Sequence, residues 1–526
     1  MGRFKSRLFF CLIISTLLIS CSKKQSVSVD EKSSPEADIL IVNGTVYTGE
    51  LRQPQYVNIA VCKEIICGVY PKGKEISAKV VIDALGKVVS PGFIDPHTHS
   101  LSELLSKDKN SNLNYLTQGV TTVVNGNDGD GPVNIKATVK QLMGNGIGSN
   151  VALYIGHGSI REHVMGREQR YANEDELDAM KALMAQGMKE GALGLSSGLY
   201  YVPGSYSNTQ EVVQLAAIAA QYGGIYDTHI RDESTFNIGF LGAIEEAINI
   251  AKQSGIHLHL AHIKALGVDV WGQSRKAVEM INKAKAQGVS ITADQYPWLA
   301  SGTKLHSAVM PKWVMADSQD AFFKRLNDPR LRERLNTEIK ENIRRRGGPE
   351  KLLVTAFKDH ALEGLTLKQI ATQRNEDVVT TTIKLVQEGQ VRVASFNMSD
   401  NDIEYFMTLP WVVTSSDGTN GHPRKYASFP QKYQEYVIKK KLLTVEQFIY
   451  QSSTKTAEIL SLDKRGKLLE GYFADIVIFD PKTYKANADF YQWNELSTGM
   501  EYVIVNGSLV IENQQYLNNL PGKFVN

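Results

Sequence analysis

The sequence predicts an α/β protein, a (β/α)8 TIM-like barrel with a small β-sandwich domain built from both termini. In the central region, short apolar runs typical of strands alternate with helical stretches in units of about forty residues, as expected for repeated β/α units. Near each end of the chain, strand-like runs share the sequence Ile-Val-Asn-Gly, at 41–44 and at 504–507. An open, doubly wound sheet is the alternative, and the lack of a glycine-rich dinucleotide or phosphate loop in the sequence weighs against it.

The same sequence patterns give the boundaries of the predicted strands, helices and domains. We predict barrel strands at 120–124, 151–155, 192–195, 224–226, 257–260, 289–293 and 411–414, and helices at 174–190, 209–222, 242–254 and 274–287. The barrel is expected to span 91–455, and the sandwich to comprise 37–90 and 456–526. A helical insert at about 311–399 is longer than one repeat needs, and we interpret it as a lid over the site. Its basic stretch at 330–346 is interpreted as a solvated face.

The first residues are typical of an export signal. Arg3, Lys5 and Arg7 precede an apolar run at 8–19, which is too short to span a bilayer. The run ends at Leu18-Ile19-Ser20-Cys21, which resembles a bacterial lipobox and implies a signal peptide at 1–21 with lipid attached to Cys21. The polar segment 22–36 then reads as a flexible tether. We therefore expect an exported protein, lipid-anchored to a bacterial membrane on its periplasmic or cell-surface side. A plain secretory signal is the alternative.

Bulk properties narrow the range of partners. The chain has 526 residues, a formal net charge of +2 and 22% charged residues, so nothing indicates a nucleic-acid partner. The expected partner is a small molecule, with membrane contact only through the anchor. Of four cysteines, Cys62 and Cys67 lie in the predicted sandwich. A disulfide and a pair of buried thiols both fit their spacing.

Two histidines follow the first predicted barrel strand, in Pro96-His97-Thr98-His99. Residues i and i+2 of an extended segment lie on one face, so His97 and His99 point the same way and can bind one metal ion. In a barrel of this type the active site lies at the carboxyl ends of the strands.

Further candidate ligands follow four other predicted strands. They are Asp128, His229, His262 and Asp417. Four imidazoles and two carboxylates at five strand ends suit one or two divalent metal ions. His257 and His259 lie on the opposite face of their strand from His262, so we expect neither to be a ligand.

The ensemble resembles the amidohydrolase superfamily and, within it, the D-aminoacylase (N-acyl-D-amino-acid deacylase) family. Matching segments run in order through nearly the whole mature chain, at 90–99, 118–124, 156–158, 164–166, 191–199, 228–233, 294–297, 416–418 and 422–424. The resemblance implies metal-dependent hydrolysis of the amide bond of N-acyl-D-amino acids. It also implies zinc, with other divalent metals as alternatives.

The resemblance also implies residue roles. His97, His99 and Asp417 match the more exposed metal position, and His229 and His262 match the tightly bound zinc position. The family's bridging cysteine lies in a Gly-Asn-Cys-Gly sequence, whereas this chain has Asp128 in Gly-Asn-Asp-Gly. A carboxylate can also bridge divalent metals.

Catalysis and substrate binding are assigned on the same basis. Asp417 is expected to accept a proton from the attacking water and deliver it to the leaving amine. Lys264 matches a substrate contact of the family, and Tyr296, Arg424 and Tyr200 are further candidates for the substrate pocket.

Two alternative functions stay open. A cyclic amide (hydantoin or imide) hydrolase is disfavoured because the segment 191–199 has no lysine that could be carbamylated to bridge two metals. A catalytically inactive binding lipoprotein is the second alternative, and the Asp128 departure is what supports it.

Overall fold

The structure is a computed structural model that describes residues 36–526. The predicted signal peptide, Cys21 and all of the tether except Glu36 lie outside the described residues. None of the helices between residues 36 and 526 has the length and hydropathy needed to cross a bilayer.

The described strands are numbered in chain order. They are β1 (Ala37–Val42), β2 (Thr45–Val46), β3 (Val57–Cys62), β4 (Ile65–Pro71), β5 (Ala78–Asp83), β6 (Val88–Pro91), β7 (Phe93–Asp95), β8 (Val120–Asn125), β9 (Asn150–Leu153), β10 (Ile155–Gly156), β11 (Gly194–Gly198), β12 (Ile225–His229), β13 (His257–Leu260), β14 (Ile291–Gln295), β15 (Ser301–Lys304), β16 (Leu352–Ala356), β17 (Arg392–Ser395), β18 (Val412–Thr414), β19 (Ile476–Phe479), β20 (Met500–Val505), β21 (Ser508–Glu512) and β22 (Gln515–Tyr516).

The α-helices follow the same order. They are α1 (Leu101–Leu104), α2 (Leu113–Leu116), α3 (Ile135–Asn145), α4 (His157–Met165), α5 (Glu174–Lys189), α6 (Thr209–Gln221), α7 (Phe240–Ser254), α8 (Ser274–Ala286), α9 (Leu305–Val309), α10 (Gln319–Asn327), α11 (Arg332–Arg345), α12 (Leu367–Gln373), α13 (Val378–Glu388), α14 (Asp400–Met407), α15 (Arg424–Lys432), α16 (Val445–Ser452) and α17 (Thr454–Ile459).

The central strands form the predicted (β/α)8 barrel. β7, β8 and β9 pair in parallel, and β10-β11-β12-β13-β14-β18 form a second parallel sheet. β9 and β10 are one strand interrupted at Tyr154, which gives eight barrel strands. A parallel bridge between Thr98 and Gly418 closes the ring. The strands are almost entirely buried because helices cover the outside and side chains fill the inside.

Both termini build the predicted β-sandwich. One sheet has the order β4-β3-β1-β5, and the other has the order β2-β6-β19-β20-β21-β22. Alternate apolar side chains, including Ile41, Ile59 and Ile476, form one core between the two sheets. Cys62 and Cys67 are joined by a disulfide across the β3–β4 hairpin, with their Cα atoms 5.6 Å apart. Helix α17 extends to Ile459, beyond the predicted boundary at 455.

The insert differs from the prediction of a purely helical segment. It also contains a three-stranded antiparallel sheet with the order β15-β17-β16, whose first strand begins at Ser301, ten residues before the predicted start. β16 is a mainly apolar run with β-branched Val354 and Thr355, whereas β17 has only Val393 and Ala394 between its polar ends. The insert has its own apolar core, which includes Leu335, Val354 and Val393.

Candidate metal centre

Six polar side chains meet at the carboxyl ends of five barrel strands. His97 and His99 follow β7, Asp128 follows β8, His229 ends β12, His262 follows β13 and Asp417 follows β18. All are buried except His99, which is partly exposed. The structure therefore brings together all six residues that the sequence predicts as metal ligands.

Asp128 lies at the centre of this group and contacts all four imidazoles. Its Oδ1 atom lies 3.4 Å from His97 Nε2, 3.3 Å from His262 Nε2 and 3.7 Å from His229 Nδ1. Its Oδ2 atom lies 3.5 Å from His99 Nε2. One carboxylate oxygen thus faces His97, His229 and His262, and the other faces the more exposed His99.

Asp417 and Glu233 complete the two sides of the centre. Asp417 Oδ1 lies 3.3 Å from His99 Nε2 and 3.7 Å from His97 Nε2. On the other side, His229 Nδ1 lies 2.9 Å from His262 Nε2, and Glu233 Oε2 lies 3.6 Å from His229 Nε2. Glu233 is not among the predicted ligands, although its position four residues after His229, in the same strand-end loop, is a signal that could have found it.

Three of these residues adopt left-handed backbone conformations. The φ angles of Asp128, His262 and Asp417 are 58°, 35° and 47°. Such values are uncommon for residues other than glycine and concentrate at functional sites. The tight turns direct all three side chains inward from the strand ends.

Two deeply buried carboxylates accept hydrogen bonds from backbone N–H groups at or next to the metal-binding donors. Asp294 Oδ1 accepts the backbone N–H of His262 at 3.0 Å. Asp95 Oδ1 accepts the N–H groups of His97 and Ser416 at 3.2 and 3.1 Å. The sequence analysis used Asp294 and Asp95 only as parts of matching segments and did not foresee this positioning role.

The electrostatics of the centre favour bound positive charge. Burial lowers the pKa of His97 to about 4 and that of His229 to about 3. Burial also opposes the charged form of His99, but Asp128 and Asp417 outweigh it and raise the pKa of His99 to about 9. For His262, burial and Lys264 are outweighed by Asp417, Glu233 and Asp128, and its pKa rises to about 10.

The donor set fits a divalent metal ion. Imidazole nitrogens and carboxylate oxygens that lie within 4.8 Å of one another come from His97, Asp128, His262 and Asp417, and a second group comes from His229, Glu233 and His262. Both ring nitrogens of His97 are buried and have no hydrogen-bond partner among residues 36–526. A buried nitrogen without a partner is costly unless a ligand satisfies it.

Three of the four predicted substrate-binding residues, Tyr200, Lys264 and Arg424, border one cavity beside the centre. His229 and Asp417 also line this cavity. The Tyr296 ring lies 4.7 Å from the Arg424 guanidinium and 5.6 Å from Lys264 Nζ.

The two predicted cations of the cavity each have a carboxylate partner. Arg424 Nη1 lies 2.8 Å from Asp417 Oδ2, and Lys264 Nζ donates to Glu233 Oε1. The cavity wall also includes Phe236 and Arg346, which the sequence analysis did not select as site residues. The prediction that 330–346 is a solvated face is therefore wrong for Arg346, which is buried.

Other polar residues have structural contacts. His259 Nε2 lies 3.0 Å from Asp294 Oδ2, and His257 contacts Ser290 and Thr292, so neither histidine faces the ion positions. Arg231 pairs with Glu246 at 2.8 Å.

The fold and the donor set define a (β/α)8-barrel protein with a nitrogen- and oxygen-ligated metal centre, a class that includes metal-dependent hydrolases. A family model described as the amidohydrolase family matches residues 80–306 and 345–511. This chain belongs to the amidohydrolase family.

Individual relatives are similar along nearly their whole length. The chain is 26% identical to D-aminoacylase of Alcaligenes xylosoxydans xylosoxydans over 523 residues, which covers 94% of this chain and 99% of that protein. A structure of D-aminoacylase reported for its binuclear metal centre superposes with a TM-score of 0.80 at 27% identity, covering 93% of this chain and all of that one. N-acyl-D-glutamate deacylase from Bordetella bronchiseptica, solved with zinc and a phosphonate inhibitor, gives a TM-score of 0.80 at 26% identity, with 93% and 99% coverage.

Proposed function

We propose that this protein hydrolyses the amide bond of N-acyl-D-amino acids and releases a carboxylate and a free D-amino acid. One observation carries the proposal: the cavity beside the metal-binding donors contains two cations, Lys264 and Arg424, next to the proton-accepting carboxylate Asp417. A substrate with an amide bond next to a carboxylate matches this arrangement. The relatives that act on such substrates are similar over nearly the entire chain.

Six residues would hold the metal, which we propose is zinc. His229 and His262 would hold one ion, His97, His99 and Asp417 would hold a second, and Asp128 would supply a carboxylate to the centre. Zinc bound there would supply Lewis-acid chemistry that polarises a carbonyl group and makes water a better nucleophile at neutral pH. The proposal for Asp128 rests on its contacts with all four imidazoles.

Asp417 would move the proton. Burial raises its pKa, but Arg424 and the surrounding histidines outweigh burial and hold the pKa of Asp417 well below its usual value. Asp417 is therefore ionised before the reaction and can accept a proton from the attacking water. Delivery of that proton to the nitrogen of the breaking C–N bond yields the free amine.

Lys264, Arg424 and Tyr296 would hold the carboxylate of the substrate. The planar guanidinium of Arg424 lies against the Tyr296 ring, and this contact fixes its orientation. With the carboxylate held there, the neighbouring amide lies beside the ion positions, and alignment of the two groups contributes to the rate.

The alternatives have less support. β11 contains no lysine, so no residue of that strand can form a carbamylated bridge for a cyclic amide hydrolase of that kind. A protein that only binds its ligand would not need an ionised Asp417 beside the donors.

The test is an assay of paired D- and L-N-acetyl amino acids and of hydantoins, with added zinc, cobalt or manganese. We expect metal-dependent hydrolysis of the D-amides only. Hydrolysis of hydantoins alone would overturn the proposal. Metal analysis of an Asp128→Ala variant should show lower zinc content than the parent protein, and a parent protein that binds no divalent metal would favour binding without catalysis.

We also propose that the protein is exported and anchored through a lipid on Cys21. The basic start, the apolar run and the sequence before Cys21 support this. The Cys62–Cys67 disulfide supports it too, since disulfides persist mainly in oxidising compartments. Metabolic labelling with a radioactive fatty acid should label the native protein and not a Cys21→Ser variant; equal labelling would contradict the proposal.

A further inference from the structure

Arg346 is a buried cation on the wall of the substrate cavity. It follows α11 of the insert, is 3% exposed and lines the cavity together with Tyr200 and Phe236. The insert therefore brings a charge into the cavity from a part of the chain that supplies none of the metal-binding donors.

The contacts of Arg346 are all with neutral groups. Its Nε atom donates to the Ala308 carbonyl at 2.8 Å, and Nη2 donates to the Tyr200 hydroxyl at 3.4 Å. With the Asn397 amide in the orientation that satisfies its own hydrogen bonds, its oxygen accepts from Arg346 Nη1 at 3.2 Å. Among residues 36–526, no carboxylate oxygen lies within 4.0 Å of a guanidinium nitrogen of Arg346.

A second cation, the half-buried Lys312, lies behind Tyr200. Lys312 Nζ is 3.5 Å from the centre of the Tyr200 ring and 3.5 Å from the Ser307 carbonyl, and within the described part of the chain it too forms no ion pair. The nearby carboxylate of Asp232 is occupied by backbone N–H groups, among them that of Ser234 at 2.8 Å.

The charge of this pair acts on Tyr200. Burial alone would raise the pKa of the Tyr200 hydroxyl, yet Lys312 and Arg346 outweigh burial and lower it. The local potential is thus positive, although the side chains around it are buried.

Unpaired buried cations are costly unless a ligand neutralises them. Removing a charge from water is unfavourable, and proteins offset this with a counterion or a bound group of opposite sign. Lys264 and Arg424 have such counterions in Glu233 and Asp417. Arg346 borders the same cavity without one, and a guanidinium keeps its charge inside a protein.

We infer that Arg346, supported by Tyr200 and Lys312, forms a second anion-binding subsite that takes a carboxylate of the substrate other than its α-carboxylate. The inference rests on the proposed function and narrows it to dianionic N-acyl-D-amino acids. The second carboxylate has two sources with one chemistry, namely an acidic side chain, as in aspartate or glutamate, or an acidic acyl group, such as succinyl.

The experiment measures kcat/KM for substrates matched in size. N-acetyl-D-glutamate is compared with N-acetyl-D-glutamine, and N-succinyl-D-glutamine with N-butanoyl-D-glutamine. We expect one acidic substrate to exceed its neutral counterpart by about 10- to 100-fold, the ratio that corresponds to a charge-assisted hydrogen bond of 1.5–3 kcal/mol. The pair that shows the preference identifies the source of the second carboxylate.

Variants assign the preference to the subsite. Arg346→Gln should reduce the acidic-to-neutral ratio by about 10-fold or more, and Arg346→Lys should restore part of it. Lys312→Met should reduce the ratio less, and it tests the subsite independently if Arg346→Gln does not fold. The control is Arg344→Gln, since Arg344 is exposed and pairs with Asp269 on the outer surface at 2.7 Å; its ratio should match that of the parent.

Each result bears on one proposal. Equal kcat/KM for acidic and neutral D-substrates in the parent protein would overturn the second subsite and leave the proposed function in place. A parallel loss for both substrates in Arg346→Gln would reveal a purely structural arginine and would also overturn it. Absence of hydrolysis of any N-acyl-D-amino acid would overturn the proposed function itself.

Discussion

The part of the substrate cavity next to the ion positions and the part formed by the insert differ in whether their buried cations have carboxylate partners. Near the ion positions, Arg424 and Lys264 are each matched by a carboxylate of the barrel. On the wall built by the insert, Arg346 contacts only neutral groups among the described residues. Lys312, half-buried behind Tyr200, also has no carboxylate partner there. Matched charges organise a site before the ligand arrives, whereas unmatched charges become favourable only when a ligand supplies the opposite sign. The barrel end thus carries the proposed catalytic residues, and the insert carries the proposed second anion-binding subsite.

The largest expected effect comes from breaking the Asp417–Arg424 pair. Asp417→Asn preserves the shape of the side chain but removes the proton acceptor, so we expect kcat to fall on the order of 1,000-fold. Steady-state kinetics measures kcat, and circular dichroism checks that the variant is folded.

A matched carboxylate in the sandwich serves as the control for this loss. Asp475 is buried and pairs with Arg465, far along the chain from the metal-binding donors. Asp475→Asn should lower the free energy of unfolding and leave kcat unchanged. If Asp417→Asn kept near-normal turnover, the proposed proton transfer would be wrong.

The next prediction concerns the free energy of unfolding and compares Lys264, which has a carboxylate partner, with Arg346, which has none. Lys264→Met leaves Glu233 buried without its cation, and we expect the free energy of unfolding to fall by about 3–5 kcal/mol. Arg346→Met leaves no orphaned carboxylate and loses mainly the bond to the Ala308 carbonyl, worth about 1 kcal/mol. Urea unfolding of both variants with zinc present measures the difference; equal losses would remove the distinction between the two parts of the cavity.

The sequence predicts the inner part of the cavity better than the outer part. His97 and His99 are found by the period-two geometry of one extended segment, and the other donors by their places after strands, because all these rules are local. The fold is predicted for the same reason: helix α5 begins and ends within one residue of the expected 174–190.

The burial of Arg346 could not be predicted from local sequence patterns. It stands in the run Arg344-Arg345-Arg346, where Arg344 is half exposed and pairs with Asp269, while Arg346 turns into the cavity. Nothing in the run separates the two residues, since only the way the insert folds over the barrel decides which guanidinium is buried. The strands of the insert were missed similarly, because β16 and β17 are short and β17 has only two apolar residues, Val393 and Ala394.

The smallest effect concerns a buried lysine with no ligand cavity. Lys432 is buried near β18, and its Nζ donates to Thr414 Oγ1 at 2.8 Å and to Gln451 Oε1 at 3.0 Å, both neutral acceptors. Burial lowers the pKa of Lys432 to about 7, from the 10.5 expected in the unfolded chain. Between these two values the unfolded chain binds more protons than the folded protein, so the contribution of Lys432 to stability rises with pH. Its destabilising effect is complete below pH 7 and is relieved as the pH approaches 10.5.

Replacement of Lys432 by methionine should therefore increase the free energy of unfolding most at acidic pH. Relative to the parent protein, Lys432→Met should gain about 3 kcal/mol more in free energy of unfolding at pH 6 than at pH 9.5, measured by urea unfolding at both values. Parallel stability curves for the two proteins would mean that Lys432 stays charged, as arginine does. Lys432 and Arg346 differ in how they can lose an unfavourable buried charge. A buried lysine without a counterion can release its proton, whereas a guanidinium such as that of Arg346 keeps its charge and needs an anion. The substrate cavity is where a bound anion can reach Arg346.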